Sequence, residues 1–301
     1  MRPSLYERVW AWQYRQAPYF FILPFVLLFC VFMVYPLTSS IVMSFYKSAG
    51  PRNSLFVGWG NYAFLFHDDL FWKAVRNTLG YTVGFLLIQI PASLGLALLL
   101  NSKSVRYRDF FRYAFFSTHL VGNVFVAVLF MLLFAPRHGL INRFIGAVTP
   151  WGSEINWLGN PRLAMPAVII AGLWLSIGYG MIYFLAALQA VDKEFYEAAE
   201  MDGAGSVAKF WNVTLPGIRP VLIFMLLMGT IGAFQLFELP YVLFQGPGPD
   251  NSALTIVTYL FQQGFETGDL GYAAAIGWAL VLMILAVSVV QLRTTRATQE
   301  N

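Results

Sequence analysis

The chain has 301 residues, of which 11% are charged and 58% hydrophobic, with mean hydropathy +0.63. A soluble domain carries about 25% charge and a disordered chain needs low hydrophobicity and high charge, so both are excluded and a membrane protein remains. The net charge of +4 is scattered singly between apolar stretches with no basic run; this excludes a nucleic-acid partner and reads as a topology signal.

A bilayer core needs about 20 apolar residues per helix, and six charge-free gaps reach that length. They predict an all-α polytopic membrane protein with spans at 19-44, 77-100, 113-134, 164-188, 220-244 and 271-292. The spans form a six-helix transmembrane domain over 19-292, between an N-terminal segment 1-18 and a tail 293-301. The first span follows Arg2, Arg8 and Arg15 but is too long for a signal h-region, and no small-x-small cleavage site follows it. Pro24, Pro36 and Pro91 predict kinks. Gly80 and Gly84 give the second span a G-x-x-x-G spacing that allows close helix approach. The stretch from Ser252 to Phe265 is too short and polar for a span and predicts an interfacial or re-entrant helix. Cys30, the single cysteine, excludes an internal disulfide.

Lys and Arg divide twelve to seven between the two faces, which predicts both termini in the cytoplasm. Trp10, Trp12, Trp59, Trp72, Trp151, Trp157 and Trp211 fall outside the predicted spans, as in an interfacial aromatic belt.

The loop 190-219 is too structured for a connector. Asp192 fits an N-cap, Glu194 suits the first turn, and Gly203 can close the helix in the left-handed conformation. Ser206 is expected to cap a second short helix ending at Asn212, with Leu215 and Pro216 leading into the fifth span. Phe195, Ala198 and Ala199 share one helix face by their spacing. That places a bulky ring beside two methyl groups, a shape suited to a cleft on another protein. The alternative, an amphipathic helix lying on headgroups, is opposed by five acidic residues that anionic lipid would repel.

These residues resemble the inner-membrane permease subunits of binding-protein-dependent ABC importers, of the sugar type related to maltose and glycerol-phosphate permeases. The family's loop motif, Glu-Ala-Ala, three residues, Gly, nine residues, Ile-x-Leu-Pro, reads here Glu197-Ala198-Ala199, Gly203 and Val213-Thr214-Leu215-Pro216, with valine for isoleucine. Val57-Gly58-Trp59-Gly60-Asn61-Tyr62 resembles the family's Gly-x-x-Asn-Tyr element. Gly139 to Asn142, Ile155 to Gly159 and Phe265 to Ala275 resemble further family segments. The family's Gly-Gly-Gly-Pro is replaced by Gly246-Pro247-Gly248-Pro249.

The resemblance implies a transporter subunit rather than an enzyme, in the inner membrane. Its partners would be a second homologous permease, two ATP-binding subunits and an extracytoplasmic sugar-binding protein. Phe195, Glu197, Ala198, Ala199, Asp202, Gly203, Leu215 and Pro216 would then couple to the ATPase. ATP and Mg would be held by the partner ATPase, with no cofactor on this chain. A P-loop requires Gly-Lys, and none of Lys47, Lys73, Lys103, Lys193 and Lys209 follows a glycine. His67, His119 and His138 are scattered, and no metal site or nucleophile triad is predicted.

The second reading is a self-sufficient ion-coupled carrier or intramembrane enzyme. A carrier of that kind places several ionisable groups within its spans, whereas here Glu238 is nearly alone. Glu238, with Phe234 and Gln235 at helical spacing, is expected to face a substrate path; a solvated outer-interface position or contact with a second permease also fits it. Tyr179 matches a sugar-contacting tyrosine of the family.

Overall fold

The computed structural model describes residues 5-48, 54-102, 105-148 and 155-297. Arg2, Lys103 and Trp151, used above for orientation and the aromatic belt, lie outside the described residues. The chain forms two compact units, Met1–His67 with Gln263–Trp278, and Asp68–Gln262 with Ala279–Asn301.

In the first unit, α1 (Leu5–Phe29) and α2 (Tyr35–Met43) are joined by a π-helical turn, Cys30–Val34. Proline cannot donate to the helical ladder and its ring crowds the carbonyl four residues before it. A wider turn ending two residues ahead of Pro36 accommodates both effects. A short antiparallel hairpin follows, β1 (Tyr46–Ser48) on β2 (Ser54–Phe56), with Tyr46 opposite Phe56, and then α3 (Gly60–His67). The Gly-x-x-Asn-Tyr element is an anchor. Asn61 Nδ2 donates to the carbonyls of Ser44 at 2.8 Å and Tyr46 at 2.9 Å, while Tyr62 Oη donates to Ser44 Oγ at 2.8 Å. These bonds satisfy backbone groups where the first span ends. A Cβ on Gly271 would lie 1.7 Å from the Tyr46 carbonyl oxygen, so only glycine admits this approach.

In the second unit, α4 (Asp69–Asn101) starts at Asp68, whose side chain accepts from Leu70 N–H. After α5 (Arg108–Ser117), α6 (Asn123–Leu133) and α7 (Leu140–Val148) comes α8 (Pro161–Ala190), capped by Asn160 with proline at its first position. The helices α4 and α8 pack along their length. A Cβ on Gly84 would lie 2.9 Å from Ile169 Cδ1, one on Gly172 2.6 Å from Tyr81 Oη, and Gly80 faces open space. Only one glycine of the G-x-x-x-G pair therefore serves packing within the chain. Tyr81, Phe85, Val126, Phe130 and Val168 form one apolar cluster, and Leu94, Met181, Phe184 and Ile218 a second.

The loop 190-219 carries α9 (Lys193–Met201). The short α10 (Ser206–Lys209) passes through a π turn, Phe210–Thr214, into α11 (Leu215–Phe234). The helix expected to stop at Asn212 instead runs continuously from Ser206 to Phe234. Its N-cap residue is Gly205, with no side-chain cap from Ser206. Again a π turn ends two residues before a proline, here Pro216, so the ring is absorbed without a break. Then come α12 (Glu238–Phe244), α13 (Ile256–Phe261) and α14 (Leu270–Ala297). The predicted short helix within 252-265 is α13, N-capped by Thr255.

Two predicted spans are not straight. The third is split into α5 with a 3-10 turn and α6, bent by 100°. Ser117 and Thr118 turn their hydroxyls back onto the carbonyls of Ala114 and Phe115, which competes with the helical ladder, and Gly122 is extended. The fifth ends at Gln235, and the chain resumes as α12 after Phe237 leaves helical geometry. The freed carbonyl of Leu236 accepts from Thr255 Oγ1 at 2.7 Å. Five helices are long and apolar enough to cross a membrane, or six with the bent pair as one.

Candidate functional site

The first candidate site is the loop between α8 and α11. Asp192 accepts from Glu194 N–H at 3.1 Å and caps α9. At the other end Gly203 has φ +77. Its N–H donates to the Glu200 carbonyl at 3.0 Å, and Ala204 N–H donates to the Ala199 carbonyl at 2.8 Å. These are the two bonds of a Schellman motif, and they explain the motif's spacing: Ala199 supplies the carbonyl to which the left-handed turn at Gly203 brings back Ala204 N–H. Asp202 is the C-cap residue between them. Nothing on α9 is buried, and Phe195 is 64% exposed. Glu197 and Ala198 are exposed, Ala199 is half-buried, and Lys209 Nζ lies 3.6 Å from Glu200 Oε2. Leu215 is half-buried and Pro216 exposed where α11 begins. The result is a rigid knob with an apolar tip and an acidic surround.

The second is a cavity of about 900 Å³ inside the second unit, walled by α4, α8, α11 and the two helix breaks. The breaks meet in it. Asn123, first residue of α6, donates Nδ2 to Oε2 of Glu238, first residue of α12, at 2.9 Å. On the opposite side, Tyr179 stacks on His119 with ring centroids 4.5 Å apart. Its hydroxyl donates to Tyr183 Oη at 3.1 Å. Gln89, Ser176 and Gln235 add further polar groups, and the rest of the lining is mostly apolar side chains and glycine. Aromatic faces beside uncharged donors and acceptors suit a ligand with apolar ring faces and hydroxyl edges.

Over residues 89–297 the sequence matches the model of the family described as binding-protein-dependent transport system inner membrane component. The chain belongs to that family. This permease is 40% identical to the arabinooligosaccharides transport system permease protein AraP of Bacillus subtilis, over 93% of its own length and 88% of that protein. It is 37% identical to the lactose transport system permease protein LacF of Rhizobium radiobacter, over 92% and 93% of the two chains. A crystal structure of a bacterial alginate ABC transporter, in complex with an alginate pentasaccharide-bound periplasmic protein, shares the fold. Its TM-score is 0.83 at 23% identity, covering 97% of the permease and 98% of that chain. The permease is therefore a multi-pass membrane subunit of an ABC importer and not an enzyme.

Of the predicted path residues, Tyr179, Gln235 and Glu238 line the cavity of the permease. Phe234 does not; it is 1% exposed. The expected shared helix face of Phe234, Gln235 and Glu238 fails because the helix ends at Gln235. Glu238 consequently sits at the start of a new helix instead of within a span. Sequence reasoning missed His119, Asn123 and Gln89. The signal was the run Ser117-Thr118-His119 with Gly122-Asn123 in mid-span, a polar cluster too dense for a straight lipid-facing helix.

Proposed function

We propose that the permease forms half of a pathway for a sugar or related carbohydrate, driven by alternating access. A second homologous permease completes the pathway. Two ATP-binding subunits, which hold ATP and Mg, each grip one coupling loop, and an extracytoplasmic binding protein delivers the substrate. Both termini lie in the cytoplasm. ATP binding closes the ATPase pair, draws the coupling helices together and favours the outward-facing state; hydrolysis restores the inward-facing one. Phe195, Glu197, Ala198, Ala199, Asp202, Gly203, Leu215 and Pro216 are the coupling residues, and Tyr179, Gln235 and Glu238 contact the substrate.

The observation that carries this reading is the Schellman-closed α9, which holds Phe195 exposed, largely uncovered by the described residues. The stacked and hydrogen-bonded lining of the cavity supports a carbohydrate, as do the sugars in the names of AraP and LacF. The test is co-purification of this permease with an ATPase subunit, followed by ATP hydrolysis stimulated by sugar-loaded binding protein in proteoliposomes. Sugar uptake by the permease alone, driven by an ion gradient, would overturn the proposal in favour of a secondary carrier.

A further inference from the structure

The cavity wall is one-sided in charge. Among its lining residues Glu238 is the sole carboxylate, and neither lysine nor arginine is present, leaving His119 as the one group able to carry positive charge. A helix N-terminus attracts anions, and α6 begins here, but that place is filled: Glu238 Oε2 lies 2.9 Å from Asn123 Nδ2. Deeper in the wall is an uncharged acceptor. Gln89 is 3% exposed, its Nε2 donates to Ser93 Oγ at 3.4 Å, and its Oε1 is buried without a partner. Gly180 makes room for this amide, since a Cβ there would lie 2.6 Å from Gln89 Nε2. A buried acceptor lacking a donor is unfavourable, and a ligand hydroxyl is the group that satisfies it without adding charge.

Resting on the carbohydrate reading above, we propose that the wall contributed by this chain selects uncharged polyhydroxy ligands and rejects sugars bearing a carboxylate or phosphate. Glu238, held by Asn123, is the excluding group, and Gln89 is an uncharged acceptor in the same lining. At an effective dielectric near 20, two like charges disfavour binding by about tenfold even when about 12 Å apart. No lysine or arginine on this wall offsets that repulsion.

The test is equilibrium dialysis on the full importer in detergent without its binding protein, whose own selectivity would mask that of the permease. The probes are neutral disaccharides, each paired with the uronic acid in which carboxylate replaces the hydroxymethyl group. The neutral member should bind about tenfold more tightly, and Glu238→Gln should narrow the gap to less than about threefold. Should that variant fail to assemble, salt serves instead: raising KCl from about 0.1 to 1 M shortens the Debye length from about 10 to 3 Å and should narrow the gap in the unaltered complex. Gln89→Leu should weaken the neutral sugar. Equal binding of both members, or a gap indifferent to both Glu238→Gln and salt, overturns the selectivity while leaving the carbohydrate path standing. Absence of saturable binding by any neutral sugar overturns both.

Discussion

Tyr196 and Thr214 are joined by a hydrogen bond of 3.0 Å between their hydroxyls. The first lies on α9 and the second closes the π turn that leads into α11, so a side-chain link bridges α9 and the fifth span. Thr214 also donates to the Lys209 carbonyl, at 3.4 Å. In the coupling role proposed for α9, its movement would be transmitted at this point as well as through the chain between them.

Tyr196→Phe should therefore weaken transmission without removing the knob. A hydrogen bond of this kind contributes about 1 kcal/mol. Sugar-stimulated ATP hydrolysis is expected to fall severalfold while the ATPase subunit still co-purifies. Full stimulation in the variant would show that backbone continuity alone carries the motion.

Gly203 gives a cleaner case, because a Cβ there would meet nothing within 4 Å. Any effect of substitution is conformational. Positive φ costs an ordinary L-residue about 1 kcal/mol, and a β-branched one more. Gly203→Val should abolish stimulated hydrolysis, and Gly203→Asn, which tolerates this region, should retain most of it. Equal activity of the two variants would sever the left-handed turn from function.

Gly178 fails for the opposite reason. A Cβ there would lie 1.9 Å from the Phe115 carbonyl oxygen, and backbone cannot step aside as a side chain can. Gly178→Ala should destabilise the complex by about 2 kcal/mol or more. Gly95→Ala, whose Cβ meets nothing within 4 Å, should raise stability by up to about 1 kcal/mol through helix propensity. Thermal unfolding of the two purified variants checks the sign of each.

For the substrate path, Tyr179→Ala removes both the stack on His119 and the hydroxyl that bonds Tyr183. Tyr179→Phe removes only the second. The sugar concentration giving half-maximal stimulation should rise by more than about fivefold in the first and less in the second. No change in either variant would return Tyr179 to a packing role.

Orientation is testable by single cysteines in a chain whose Cys30 has been replaced. A cysteine at Lys209 should react with impermeant thiol reagents from the cytoplasm alone, and one at Asp250 from outside alone. Exchange of the two patterns would invert the topology.

Much of this was legible in the sequence because the bilayer makes charge expensive: gaps between charged residues located α8 and α14 within about five residues, but missed the first two turns of α4, which carry Asp69, Lys73 and Arg76. The loop was legible for a different reason, since Asp192 and Gly203 are residues whose local conformational roles hold in any surroundings. The two breaks were not. Hydropathy counts carbon and oxygen but not where a carbonyl finds its donor, and Leu236 finds one in Thr255, which arrives 19 residues later. For the same reason the pairing of Asn123 with Glu238, separated by 115 positions, lay beyond any local pattern.

The bend in the third span constrains how the permease is made. A helix interrupted in mid-membrane leaves backbone groups that lipid cannot satisfy, and here α8 packs against α5, the 3-10 turn and α6 alike. Synthesis delivers Arg108 to Leu133 before α8, which begins only at Pro161. Until then the straight helix that hydropathy alone prescribes is the better solution, since it satisfies its own carbonyls. The cavity, which Gly172, Leu175, Ser176 and Tyr179 of α8 help to wall, is accordingly incomplete in any nascent chain truncated ahead of residue 161.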